Sequence, residues 1–113
     1  MIEKYQYGSM TIQGTQYPSD LILYPDTIDP HWRRKHSYRV GSGDVMEMLT
    51  DERPEYLVIG TGDAGSLDVS PEVQNHLQAQ GINLVYAPTE EARLMYNMLC
   101  PRHRVVGAFH LKG

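Results

Sequence analysis

Six residues near the middle of the chain, Gly60-Thr61-Gly62-Asp63-Ala64-Gly65, have the spacing G-x-G-x-x-G and follow an apolar run, Tyr56-Leu57-Val58-Ile59. That spacing cradles a pyrophosphate when a helix opens inside the glycines and aims its first amides at the phosphates. Here Ser66-Leu67-Asp68-Val69 intervene before the first helix-capping residue, Ser70. Asp63 would place a negative charge beside the phosphates. The position about 20 residues on, where a ribose-binding acid belongs, reads Tyr86-Ala87-Pro88. Too little chain follows for the rest of a doubly wound domain. The motif reads as a glycine-rich turn rather than a dinucleotide site.

Other residues with chemical potential are scattered. His31 and His36 share one loop, and His103 and His110 flank the last apolar run. None has two-ligand metal spacing with a third ligand nearby. Cys100 has Arg102, His103 and Arg104 close by, which favours a thiolate, but it stands at a helix C-terminus, where the dipole opposes one. A buried or idle thiol is the expectation. Ser66 and Ser70 lack a nucleophile-elbow context. Asp63, Asp68, Glu90 and Glu91 could converge on one edge, but acid–base work depends on a separation that sequence does not state. We assign no catalytic residue, cofactor or metal ligand from these patterns.

The charged loop at 29–41, Asp-Pro-His-Trp-Arg-Arg-Lys-His-Ser-Tyr-Arg-Val-Gly, holds the only tryptophan. Two readings stand. Trp32 packs on the core while the arginines snorkel over a solvated connection. Alternatively Trp32, Arg33 and Arg34 form an anion- or partner-binding surface, since arginine beside tryptophan suits both.

The elements that would position these groups alternate. Residues 1–24 read as short strands, with a hairpin near Gly14 and an apolar run Leu21-Ile22-Leu23-Tyr24 ended by Pro25. Ser42 or Gly43 is expected to cap a helix reaching about Glu52, with Val45, Met46 and Leu49 buried and Met48 off that stripe. Tyr56–Ile59 is a strand. Ser70, Pro71 and Glu72 open a second helix with Val73 and Leu77 inward, and Gly81 ends it. Ile82–Tyr86 is a strand. Thr89 is expected to cap a third helix with Ala92, Met95, Tyr96 and Leu99 inward; Pro101 ends it. Val105–Leu111 is the last strand. Crossovers of this kind make neighbouring strands parallel and right-handed. The loops at 60–65 and 87–89 then share one sheet edge, where α/β proteins bind ligands.

The chain has 113 residues and a 41% apolar fraction, enough for one globular domain, 1–113, without a metal or disulfide staple. A net charge of −4 argues against a general nucleic-acid binder. A single cysteine points to a reducing compartment. Residues 1–15 carry no long apolar run, so neither a signal peptide nor a spanning segment is expected, and the cytosol is the expected location.

Several segments together resemble a known family. They are Tyr7-Gly8-Ser9-Met10-Thr11-Ile12-Gln13-Gly14, the Trp32-Arg33-Arg34-Lys35 loop, Leu57-Val-Ile-Gly-Thr-Gly62 and Gly81-Ile82. They continue with Thr89-Glu-Glu-Ala92, Tyr96-Asn97-Met98-Leu99 and Arg104-Val-Val-Gly-Ala-Phe-His110. This set is similar to the "Mth nine-three-eight" family, also called domain of unknown function four-nine-eight, which includes a mitochondrial complex I assembly factor. The Thr-x-x-Ala-x-x-x-Tyr-Asn-x-Leu segment is the most specific part. The resemblance implies a three-layer α/β fold: a mixed central sheet carrying helices, with an N-terminal antiparallel ribbon beside it. It implies no established activity or cofactor. It marks Gly60, Thr61, Gly62, Thr89, Tyr96, Asn97 and His110 as site-edge or structural residues. Many relatives carry His-x-Thr-Cys where this chain has His110-Leu-Lys-Gly113.

Two functional expectations follow. One is a non-catalytic binding or assembly module that engages a protein partner through Trp32 and its arginines. The other is an enzyme or carrier for a small anionic metabolite, bound where the Gly60–Gly62 loop meets the N-terminus of the Thr89 helix. A homo-oligomer through an exposed strand edge is a further expectation left open.

Overall fold

A computed structural model describes all residues, Met1–Gly113. Three short strands open the chain: β1 (Ile2–Gln6), β2 (Ser9–Ile12) and β3 (Thr15–Tyr17). They form an antiparallel ribbon in that order, turning at Gln13-Gly14. Next come β4 (Leu21–Leu23), β5 (Ile28–Asp29), β6 (Arg39–Val40) and α1 (Ser42–Met48). The second half alternates: β7 (Tyr56–Thr61), β8 (Asp68–Val69), α2 (Pro71–Ala79), β9 (Asn83–Ala87), α3 (Thr89–Leu99) and β10 (Val105–His110). The main sheet has the order β5-β4-β10-β7-β9. β10, β7 and β9 are parallel, while β4 and β5 are antiparallel additions. The sheet is thus mixed. β6 and β8 form a small parallel pair.

Both faces of β7 and β10 are buried, which is why they read as unbroken apolar runs. Leu57, Ile59, Val106 and Ala108 face one core with Trp32, Val45 and Met48 of the α1 side and Val73 and Leu77 of α2. Val58, Val105 and Phe109 face a second core with Ile2, Met10 and Ile12 of the ribbon and Ala92 and Tyr96 of α3. The layers are therefore α1 and α2, the sheet, and α3 with the ribbon. No helix is long and apolar enough to cross a membrane.

Three sequence expectations need correction. α1 is capped by Gly41 and ends at Met48, well short of Glu52. Asp44 Oδ2 accepts the Gly41 N–H at 2.9 Å, which fixes the early start. Its buried stripe is Val45, Met48 and Leu49, the i, i+3, i+4 set, and Met46 is 56% exposed. β9 starts at Asn83, because the Ile82 N–H is taken by Leu77 O of α2 at 2.9 Å. Thr89 is the first residue of α3, and Pro88 holds the capping position.

Candidate functional site

The carboxyl ends of β7, β9 and β10 meet at one edge, as the crossover pattern requires. The Thr89 N–H donates to Gly62 O at 3.0 Å, joining the two loops. The Thr89 hydroxyl, fully buried, accepts the Gly62 N–H at 2.9 Å and donates to His110 O at 2.5 Å. Thr89 therefore stitches three strand ends together instead of capping its own helix. Thr61 is also buried, and its main-chain O accepts the Leu67 N–H at 3.0 Å. Gly60 lies directly under α3: a Cβ there would sit 2.8 Å from both Thr89 Oγ1 and Phe109 Cδ1. Gly62 has φ +103°, a conformation that side chains disfavour, and a Cβ there would collide with Lys112 O. Lys112 and Gly113 thus lie against the glycine turn. Gly113 O accepts from Ala64 N at 3.0 Å and from Ser66 Oγ at 2.8 Å.

Beside this edge stands a residue that the sequence reading passed over. Asp20, just before β4, gathers three donors. His110 Nδ1 lies 2.7 Å from Oδ2, Arg34 Nη1 donates to the same oxygen at 3.0 Å, and the Leu111 N–H donates to Oδ1 at 2.8 Å. Burial pushes the Asp20 carboxyl up, but these donors outweigh it and hold the group below the ordinary carboxylate range. The ionised carboxylate only accepts, which puts a proton on His110 Nδ1. The main-chain O of Asp20 also accepts the Trp32 N–H at 2.8 Å. The only sequence signal was an acid directly before an apolar strand.

The charged loop divides into inner and outer residues. Trp32 is 6% exposed and packs in the core on the α1 and α2 side. Arg34 lies over its ring, 4.5 Å from the centroid, and also donates to Ser37 O at 3.2 Å. Trp32 and Arg34 are thus internal. Arg33 is exposed and lines an open cleft of about 470 Å³ with Trp32, Asp29, His31, Asp44 and Glu47.

Tyr96 and Asn97 belong to neither place. The Tyr96 ring meets Phe109 edge-on at 6.0 Å, and burial pushes its phenol up to about 12. Asn97 clasps the main chain of β1: it accepts the Ile2 N–H at 2.9 Å and donates to Ile2 O at 2.8 Å. Arg93 Nη1 adds a bond to Ile2 O at 3.1 Å. No three His, Cys, Asp or Glu side chains converge as metal ligands. The structure therefore brings Gly60, Thr61, Gly62, Thr89 and His110 together, attaches Arg34 and Trp32 to them through Asp20, and leaves Arg33, Tyr96 and Asn97 elsewhere.

Residues 2–110 match the family described as protein of unknown function (DUF498/DUF598). The chain belongs to this family. Among curated relatives, the mouse NADH dehydrogenase [ubiquinone] 1 alpha subcomplex assembly factor 3 is 26% identical over 107 residues, covering 95% of this chain and 57% of the mouse protein. The chain thus spans a little over half the length of that relative. A conserved hypothetical protein from Pyrococcus horikoshii superposes with a TM-score of 0.86 at 24% identity, covering 100% of this chain and 99% of the other. A Bordetella pertussis protein described as a Mth938-like domain superposes with a TM-score of 0.76 at 19% identity, covering 100% and 86%. These likenesses establish the fold. The family resemblance and the layered mixed-sheet architecture expected from sequence are both what is found. In this chain the Gly-Thr-Gly turn is a corner at which the Gly62 amide donates to the Thr89 hydroxyl and that hydroxyl donates to His110 O.

Proposed function

We propose that this DUF498 protein is a non-catalytic binding or assembly module, a single cytosolic domain that acts through a protein partner at the open cleft beside Arg33. The observation that carries this reading is the contrast between the two candidate surfaces. At the strand edge, Thr89, Asp20, His110 and Arg34 bond to each other and to main chain, and Lys112-Gly113 lies across the Gly62 turn. At the cleft, Arg33, His31 and Glu47 make no side-chain bond and face solvent, with Trp32 as the floor. Exposed charge around an aromatic floor suits a polar protein segment. The mouse relative's name supports the assembly reading, although this chain matches only part of that protein.

The test is a charge reversal that spares the core. Arg33→Glu, expressed in the protein's own cells, is expected to lose a partner that the parent chain retains on cross-linking and mass spectrometry, with an unchanged melting temperature. Trp32→Ala is unsuitable, since it empties a core position. Equal capture by Arg33→Glu would overturn the assignment of the cleft. Native mass spectrometry of the purified protein separates the metabolite reading: a bound anion of a few hundred daltons would favour the Gly60–Gly62 edge, which would then have to release Lys112 and Gly113.

A further inference from the structure

β9 is the edge of the main sheet, and it is bare. The protein blunts its other edges. β5 is two residues long, carries Asp29 and stands between Pro25 and Pro30. β3 is three residues long and is followed by Pro18. The outer side of β1 is clasped by Asn97 and Arg93. Short strands, prolines, charges and covering groups are the usual protections of a sheet edge. β9, Asn83-Leu-Val-Tyr-Ala87, has five residues with no charge and no proline. The Asn83 N–H points inward, to Glu55 O at 3.0 Å. Alternation in a parallel ladder then turns the N–H and C=O groups of Leu84 and Tyr86 outward, where no strand of this chain meets them.

We propose that this edge pairs with a second copy of the same chain, β9 antiparallel to β9 about a two-fold axis at Val85, making one continuous ten-stranded sheet from two five-stranded ones. In that register Leu84 faces Tyr86 of the other copy, and both outward groups of each residue find partners. Tyr86 is 46% exposed. Beside it, a cleft of about 330 Å³ lies between Leu84, Ile82 and the α2 residues Gln74 and Gln78, and the opposite copy's Tyr86 side chain would enter it.

α3 carries a second self-complementary set on the other face. Leu94 and Met98 are 52% and 73% exposed, on the outer surface of α3 opposite the buried Ala92 and Tyr96. Their midpoint is Tyr96. Glu91 and Arg102 are exposed, neither has a side-chain partner in its own chain, and their midpoint falls between Tyr96 and Asn97. A two-fold there brings Leu94 level with Met98 and Glu91 level with Arg102 of the other copy. The height agrees with the strand axis. From Val85 up to Pro88 is three residues, roughly 10 Å at strand rise. From Thr89 back down to Tyr96 is seven residues, roughly 10 Å at helical rise. One axis therefore serves both elements. α3 packs over β7, with β10 and β9 on either side, so the two copies of α3 stand about three strand spacings apart, ~14 Å. Long side chains such as Met, Glu and Arg span that gap, and the backbones stay clear.

Sedimentation velocity over about 1–500 µM, the range in which a modest interface associates, tests the pairing. The parent chain is expected to shift from monomer to dimer, with the Leu84 and Tyr86 amides gaining exchange protection as concentration rises. Tyr86→Pro removes only an outward N–H, a change edge strands tolerate, and is expected to abolish the dimer while the dilute protein keeps its melting temperature. Glu91→Arg turns two attractive pairs repulsive and is expected to weaken dimerisation about tenfold. Glu91→Arg with Arg102→Glu restores it. A chain that stays monomeric throughout overturns the proposal, including the case in which another protein occupies β9. So does a dimer indifferent to Tyr86→Pro, or a charge swap that restores nothing.

Discussion

Asp20→Ala is expected to be the most damaging single polar change in this protein. The Arg34 side chain is only 6% exposed, and Asp20 is its sole carboxylate partner. Removing Asp20 leaves a buried guanidinium with one remaining acceptor, Ser37 O, and the aromatic face of Trp32. Stranding one charge of a buried pair costs about 3–5 kcal/mol. The Leu111 N–H and His110 Nδ1 lose their acceptor in the same step. Against a typical domain stability of about 5–15 kcal/mol, a cost of about 3–5 kcal/mol is roughly a fifth or more of the total. Asp20→Asn keeps an acceptor but not the charge and is expected to cost about 1.5–3 kcal/mol. Urea unfolding followed by circular dichroism measures both. The pH dependence has a definite sign. The folded Asp20 carboxyl lies below its unfolded value, so its contribution is complete above an unfolded pKa of about 3.9 and fades as pH falls through the lower folded value. The stability gap between the parent and Asp20→Asn should therefore narrow in acid. Glu3, Glu55 and Glu90 are also held low, but they are common to both proteins and cancel in the difference. Adding Arg34→Met to Asp20→Ala should recover part of the loss, because no buried charge remains. A cost under about 1 kcal/mol for Asp20→Ala would refute the reasoning, given the buried-pair magnitude used. A gap independent of pH, or no recovery in the double variant, would refute it equally.

Two other changes probe the neighbouring corner. Thr89→Val strands the buried Gly62 N–H at about 1–3 kcal/mol, with a smaller cost for the part-buried His110 O, while Thr89→Ser keeps both bonds and costs far less; equal losses in urea would show that the hydroxyl stitches nothing. Tyr96→Phe should change stability by less than about 0.5 kcal/mol, since its hydroxyl makes no hydrogen bond, and should remove the phenol that ionises near pH 12 from an alkaline absorbance titration. An unaltered titration would contradict the burial assigned to Tyr96.

The second half of the chain was legible because its signals are local. Val58 and its neighbours form an apolar run, Ser70-Pro71 marks a helix start, and the alternation of runs and helices leaves few topologies for a parallel sheet. Where β10 sits was not local. Its central place between β7 and β4 follows from Gly107 and Phe109 meeting Leu23 and Leu21 on one side and β7 on the other, pairings that join distant parts of the chain. α1 differed for local reasons. Its start is fixed by the Asp44 carboxylate reaching back to Gly41, while its buried methionine was legible all along: with Val45 and Leu49 inward, helical spacing puts Met48 in the core and Met46 outside.

The candidate site was harder, because the groups that bind an anion and the groups that close a protein's own corners are the same. Thr89 beside Gly60-Thr61-Gly62 presents a hydroxyl and free amides at a helix start, and a phosphate would accept those donors. So do Gly62 O, His110 O and Gly113 O. Sequence gives the donors without their acceptors. What distinguishes the two cases is a residue far away in the chain, Asp20, which ties His110 and Leu111 to Arg34 and so determines where the stretch after β10 runs. That path takes Lys112 across Gly62. With the edge occupied from within, the exposed groups left without partners in this chain include the charges around Arg33 and the outward main chain of β9. The two associations proposed above are separable, since Arg33→Glu and Tyr86→Pro lie on different layers and should each abolish one and spare the other.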